Sequence, residues 1–187
     1  MYLLAFAASL RAGSWNRKLL NVAVPVAREA GVEVDVAQFG EFDAPMYNAD
    51  VQSQDGFPPG VEEFVGRLER ADGLMIASPE YNFSLPGTLK NLIDWVSRKR
   101  PMPLRGKSAL LLAASTSVVG GIRGLWQLRI PLEGLGVFVY PDMYALPSAQ
   151  DQFDEAGHLK DAARRERLEK LVRGYLKAGR ALAGGDE

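Results

Sequence analysis

A chain of 187 residues, 47% hydrophobic and 24% charged, has enough material for one well-cored domain and too little for two. Its formal net charge of −1 supplies no field to recruit nucleic acid or an anionic membrane, and it lacks the strongly acidic surface usual in small electron carriers. With no cysteine and a single histidine, His158, the chain excludes disulfide scaffolds, thiol catalysis, iron–sulfur clusters and multi-His metal sites.

Tyr2–Ala8 opens the chain as a short apolar run, the pattern of a buried parallel strand. It is too short for a signal peptide, and no later run reaches membrane-spanning length, so the expected address is the cytoplasm and no membrane partner is expected. Asn16–Ala30 reads as a helix with Leu19, Leu20, Ala23, Val26, Ala27 and Ala30 on one face. Val32–Phe39 is a second strand. A long loop, 40–60, follows; its length fits a functional segment or a plain surface excursion. Val61–Arg70 is helical, with Val61, Phe64, Val65 and Leu68 on one face, and Gly73–Ser78 is the third strand.

Pro86–Arg100 starts with proline in its first turn and ends in Arg98-Lys99-Arg100, the charge a helix C-terminus favours. Ser108–Ala114 is the fourth strand. Ile122–Leu135 is apolar and helical, with Pro131 expected to kink or shorten it. Val137–Tyr140 is a fifth, shorter strand. Asp161–Ala183 is the last helix, and 184–187 a frayed tail. Residues 1–183 therefore form one α/β domain. Strict alternation of strands and helices requires a doubly wound parallel sheet in three α/β/α layers, and five strands fit the flavodoxin-like order 2-1-3-4-5. In such sheets ligands bind beyond the carboxyl ends of the strands, here the loops after the first, third and fourth.

Those loops are the most unusual segments of the chain. Ser9-Leu10-Arg11-Ala12-Gly13-Ser14-Trp15-Asn16-Arg17 joins a buried strand to a helix N-terminus, where free backbone N–H groups attract an anion. Ser9, Ser14 and Asn16 add neutral donors and Arg11 adds charge, which suits a phosphate monoester; an ordinary helix cap by Ser14 or Asn16 is the alternative. The Gly spacing and Lys of nucleotide-binding loops are absent. Ser78-Pro79-Glu80-Tyr81-Asn82-Phe83-Ser84-Leu85-Pro86-Gly87 is stiffened by prolines at both ends. A stiff backbone presents N–H and C=O groups to a planar heterocycle such as an isoalloxazine at little entropic cost. Tyr81 and Phe83 can cover its face, and Asn82 both donates and accepts. Glu80 reads as a buried base, a solvent-facing carboxylate or an anchor bound to backbone. Ser115, Thr116 and Ser117 are small enough for a flat ligand to approach the backbone, and Gly120-Gly121 serve that approach or only a tight turn. Trp95 and Trp126 fit buried packing or a subunit contact. An electron carrier, a redox-sensing protein and a receiver domain share this topology; the last needs an acidic pair where Ala8-Ser9 stands.

The sequence resembles the NADPH-dependent FMN reductase family, flavodoxin-like enzymes that include bacterial quinone, chromate and azo-dye reductases. The resemblance centres on Ser9-Leu10-Arg11-x-x-Ser14-x-Asn16, on Ser78-Pro79-Glu80-Tyr81-Asn82-x-Ser84-x-Pro86-Gly87-x-Leu89-Lys90-Asn91-x-Ile93-Asp94-Trp95, and on Gly120-Gly121-x-Arg123. It implies that Ser9, Arg11, Ser14 and Asn16 hold the phosphate of FMN. It implies that Pro79, Glu80, Tyr81 and Asn82 hold the isoalloxazine, with Ser115 to Ser117 along its other edge. NADPH or NADH is then the electron donor, and a quinone, free flavin, azo compound or metal oxyanion the small-molecule acceptor. A non-enzymatic flavodoxin-type carrier or a redox-sensing FMN-binding protein is the alternative. Family members assemble as dimers or tetramers, which places Arg123 and Trp126 near a subunit contact.

Overall fold

The four longest apolar runs and part of the fifth become strands: β1 (Tyr2–Ala7), β2 (Glu33–Ala37), β3 (Gly73–Ala77), β4 (Ser108–Ala114) and β5 (Phe138–Val139). They pair in parallel in the order β2-β1-β3-β4-β5, with Leu3 opposite both Val34 and Gly73, and Gly73 opposite Ser108. The computed structural model describes residues 1–184; positions 185–187 of the expected tail lie outside the described residues.

Both faces of the sheet are covered, which is why its strands are apolar without alternation. Leu3, Ala5 and Ala7 of β1, with Met75, Ala77, Leu110 and Leu112, face α1 (Trp15–Glu29) and α6 (Ala162–Ala183). Leu4 and Phe6, with Leu74, Ile76, Ala109 and Leu111, face α3 (Pro59–Arg70), α4 (Gly87–Val96) and α5 (Ile122–Gly134). Trp95 is fully buried in this second core, so it is a packing residue and forms no part of any subunit contact.

The structure adds elements that the patterning hides. A sixth strand, β6 (Tyr144–Leu146), pairs in parallel with Leu112–Ala114, so β5 and β6 share the outer edge of β4 in two pieces. Loop 40–60 contains a short helix, α2 (Ala49–Asp55), capped by the Asn48 side chain. No residue of α2 is buried, so it leaves no apolar period to read. Pro131 does not end its helix: α5 runs through it to Gly134.

The long loop is bound to α4 by the two residues that close the family-like motif. Asn91 accepts from Tyr47 N–H at 2.8 Å and donates to the carbonyls of Ala44 and Pro45; the Trp95 indole donates to Pro45 at 2.8 Å. Tyr47 packs edge-on against Trp95, ring centroids 5.0 Å apart. That part of the motif is structural.

Candidate functional site

β1 ends at Ala7, and Ser14 begins α1. Its hydroxyl accepts from Arg17 N–H at 3.3 Å, an N-cap, and it keeps its own O–H to donate. The first helical amides, Trp15 and Asn16, have no intrahelical acceptor, and no acidic residue occupies the first turn, so the positive end of the helix is uncompensated there. Arg11 is exposed and spends one N–H on Gly13 carbonyl at 2.8 Å, which orders the loop and leaves most of its donors. Ser9 and Ser14 are buried at the inner wall.

Asn16 does something its sequence position does not announce. Its amide donates to Ala114 carbonyl at 3.0 Å and accepts from Ala114 N–H at 2.9 Å, both bonds buried. Asn16 therefore clips the start of α1 to the end of β4, across 98 residues of chain, and one amide hydrogen stays outside the pair.

The loop after β3 is a hairpin. Tyr81 and Ser84 exchange N–H···O bonds of 2.9 and 3.0 Å around Asn82 and Phe83, whose φ values are +49° and +67°. Two consecutive left-handed residues are the signature of a primed two-residue turn; asparagine tolerates that geometry and phenylalanine resists it. The pairing consumes the Tyr81 N–H and C=O, so of the expected ring-reading backbone, Glu80 and Asn82 stand outside it. Pro79 is buried, while Tyr81 and Phe83 expose their rings. The Glu80 side chain settles on the third of its possible roles. Its side chain is only 6% exposed, and the carboxylate accepts from the backbone N–H groups of Arg123 and Gly124 and from the Arg123 guanidinium.

The loop after β4 is braced from the sheet edge. Ser115 N–H donates to Leu146 carbonyl, Ala149 N–H to Ser115 carbonyl, and the Ser115 hydroxyl bonds that of Ser117 at 3.2 Å. Thr116 is exposed. Gly120 and Gly121 serve the turn: both have positive φ, and a Cβ would come 2.8 Å from Pro147 N in one case and 2.9 Å from Ala113 Cβ in the other.

These three loops meet in one cleft of about 290 Å³, lined by Ser9, Arg11, Ser14, Asn16, Pro79, Glu80, Tyr81, Ser115 and Thr116. Asn82 and Ser117 flank it in the same loops. Trp15 and Ala114 also line it, and neither was singled out by sequence. Trp15 stacks on Phe153, ring centroids 6.0 Å apart, a partner from a distant turn that no local pattern predicts. A larger cleft of about 550 Å³ lies by the first residue of β4, at the opposite end of the sheet. Among the described residues its lining holds no Lys or Arg.

The model of the family described as NADPH-dependent FMN reductase matches residues 1–151. The chain belongs to that family. Membership makes it an oxidoreductase that works with FMN and NAD(P)H. Among FMN reductases it is 38% identical over 183 residues to an NAD(P)H-dependent FMN reductase of Pseudomonas aeruginosa, covering 97% of this chain and 96% of the other. An NAD(P)H:quinone oxidoreductase of Solanum tuberosum is 36% identical, with 88% and 85% covered. The solved structure of FerB, a flavoenzyme NAD(P)H:(acceptor) oxidoreductase from Paracoccus denitrificans, superposes with a TM-score of 0.82 at 26% identity over 96% of this chain and 97% of that one. The donor set of the cleft suits this family's cofactor: hydroxyls, free helix amides and one arginine at one end, and a rigid backbone flanked by aromatics at the other.

Proposed function

We propose that the cleft binds FMN with its phosphate on Ser9, Arg11, Ser14 and the first amides of α1, and its isoalloxazine against Pro79–Asn82 and Ser115–Ser117. Asn16 contributes by holding the first and third loops together, and by its remaining amide hydrogen. The observation that supports this most is the convergence of an uncompensated helix N-terminus and a stiff, aromatic-flanked hairpin at the switch point of the sheet. Bound there, FMN supplies two-electron redox chemistry between NAD(P)H and an acceptor. The protein's share is to bind, orient and shield. Glu80 has its carboxylate fully engaged, so the cleft presents no free carboxylate to act as acid or base.

A quinone is the acceptor we assign, on the support of relatives named as quinone oxidoreductases; free flavin, azo compounds and metal oxyanions are secondary candidates. Without oxygen, purified protein loaded with FMN is expected to oxidise one equivalent of NADPH per flavin and to turn over further once a soluble quinone is added, with ping-pong kinetics, because donor and acceptor share one exposed face. Intersecting instead of parallel double-reciprocal plots would contradict the shared face, and no quinone-dependent oxidation would contradict the assignment.

The same reading includes a homodimer or homotetramer. Trp126 is 55% exposed, and one turn further Ile130 is exposed on the same side of α5. Arg123, three residues before Trp126 on α5, holds its guanidinium 4.4 Å from the exposed Phe83 ring, which sets this helix beside the hairpin. A second copy related by a two-fold axis is the proposed cover. Light scattering at micromolar concentration is expected to give the mass of two or four chains, and Trp126→Glu to lower it; a monomeric parent chain would refute the assembly.

A further inference from the structure

We infer that Glu80 is a positioning residue that locks the ring-reading hairpin to the N-terminus of α5, so that Pro79–Asn82 meet the isoalloxazine in one fixed arrangement. The inference rests on the proposed FMN site and assigns it a component that touches no reacting atom.

Helix α5 begins without a side-chain cap of its own. Its N-cap is Gly121, at φ +91°, and glycine offers no acceptor. Glu80, from 43 residues earlier, supplies the missing one. Its Oε2 accepts from Arg123 N–H at 3.1 Å and from Gly124 N–H at 3.2 Å, while Oε1 takes Arg123 Nε–H at 2.7 Å and makes an ion-pair contact with Arg123 Nη2. A carboxylate at a helix N-terminus, paired with a guanidinium and almost wholly buried, is held by charge-assisted bonds on both oxygens.

Two further contacts tie the hairpin to the same place. Gly124 lets the helix approach the loop: a Cβ there would come 3.0 Å from Glu80 Cα and 3.1 Å from Ser84 carbonyl. The Arg123 guanidinium that grips Glu80 also stacks on Phe83, the hairpin residue held at φ +67° where a bulky side chain is disfavoured. One arginine and one carboxylate therefore fix both the root and the tip of the loop after β3. They fix it to the helix that leaves the loop after β4, so the two walls of the ring end are set relative to each other.

The test titrates riboflavin and FMN into apoprotein of the parent chain, Glu80→Gln and Arg123→Gln, and follows amide exchange at residues 122–125. Glu80→Gln is expected to weaken both flavins about tenfold, leave their affinity ratio unchanged, and speed exchange at Arg123 and Gly124. Arg123→Gln keeps both amide bonds and is expected to weaken both flavins about threefold without that gain in exchange. Its side chain is more than a third exposed, so this variant carries the test should Glu80→Gln fail to fold. Faster exchange with unchanged riboflavin affinity would reduce Glu80 to a helix cap and overturn the inference, as would a loss confined to FMN. A parent apoprotein that binds neither flavin would overturn the cofactor reading itself, and this inference with it.

Discussion

Asn16→Ala is expected to destabilise the fold by roughly 2–6 kcal/mol, the largest stability effect expected among the cleft substitutions considered. The asparagine makes two buried bonds to one residue, donating to the Ala114 carbonyl and accepting from the Ala114 N–H. Ala114 is the last residue of β4 and lies two residues past the last pairing with β3. Alanine at position 16 orphans a buried donor and a buried acceptor together, each costing about 1–3 kcal/mol. Asn16→Asp would keep the acceptor for Ala114 N–H but set a carboxylate against the Ala114 carbonyl, so it is expected to rescue little. Urea denaturation reads the effect as a fall in midpoint with an unchanged slope. A loss under about 1 kcal/mol would mean that water or a shifted loop replaces the clip. Because the clip joins the loops after β1 and β4, flavin affinity is expected to fall with stability.

The sheet was legible because its central strands are buried on both faces. Runs such as Leu3–Ala8 and Ala109–Ala114 carry no polar residue, and the helices between them show a clear apolar stripe. What escaped has no such signature. β6 is three residues long and is separated from β5 by a Tyr140–Met143 excursion, while no residue of α2 is fully buried. The cleft was legible as three loops, since topology alone sends ligands there. The partners of its side chains were not. Asn16 looks like a cap or a phosphate donor until Ala114 is placed beside it. Glu80 has three plausible roles until Gly121 proves to leave α5 uncapped. Trp95 and Trp126 look equivalent in sequence, yet one is wholly buried and the other half exposed. Asn16, Glu80 and Trp95 each depend on a contact more than 40 residues away, which spacing along the chain cannot encode.

The largest expected effect on binding belongs to Arg11. It is the cation at the proposed phosphate end of the cleft, beside an uncompensated helix N-terminus. A charge-assisted hydrogen bond contributes on the order of 1.5–3 kcal/mol, so Arg11→Ala is expected to weaken FMN by roughly one to two orders of magnitude. The salt dependence of FMN binding should weaken as well, because one cation is lost. Riboflavin has the same ring and no phosphate, so its affinity should hardly move. Asn82→Ala acts at the other end and is expected to weaken both flavins alike. Arg11 also orders its loop through the Gly13 carbonyl, and losing that bond alone would disturb both flavins only slightly.

The ratio of FMN to riboflavin affinity, measured by fluorescence titration of parent and Arg11→Ala apoproteins, therefore tests most directly that this cleft is the flavin site, phosphate on the first loop and ring on the second. The ratio is expected to fall about ten- to a hundredfold in the Arg11 variant and to stay constant in Asn82→Ala. An unchanged ratio in Arg11→Ala would place the phosphate elsewhere and contradict the assignment of the first loop.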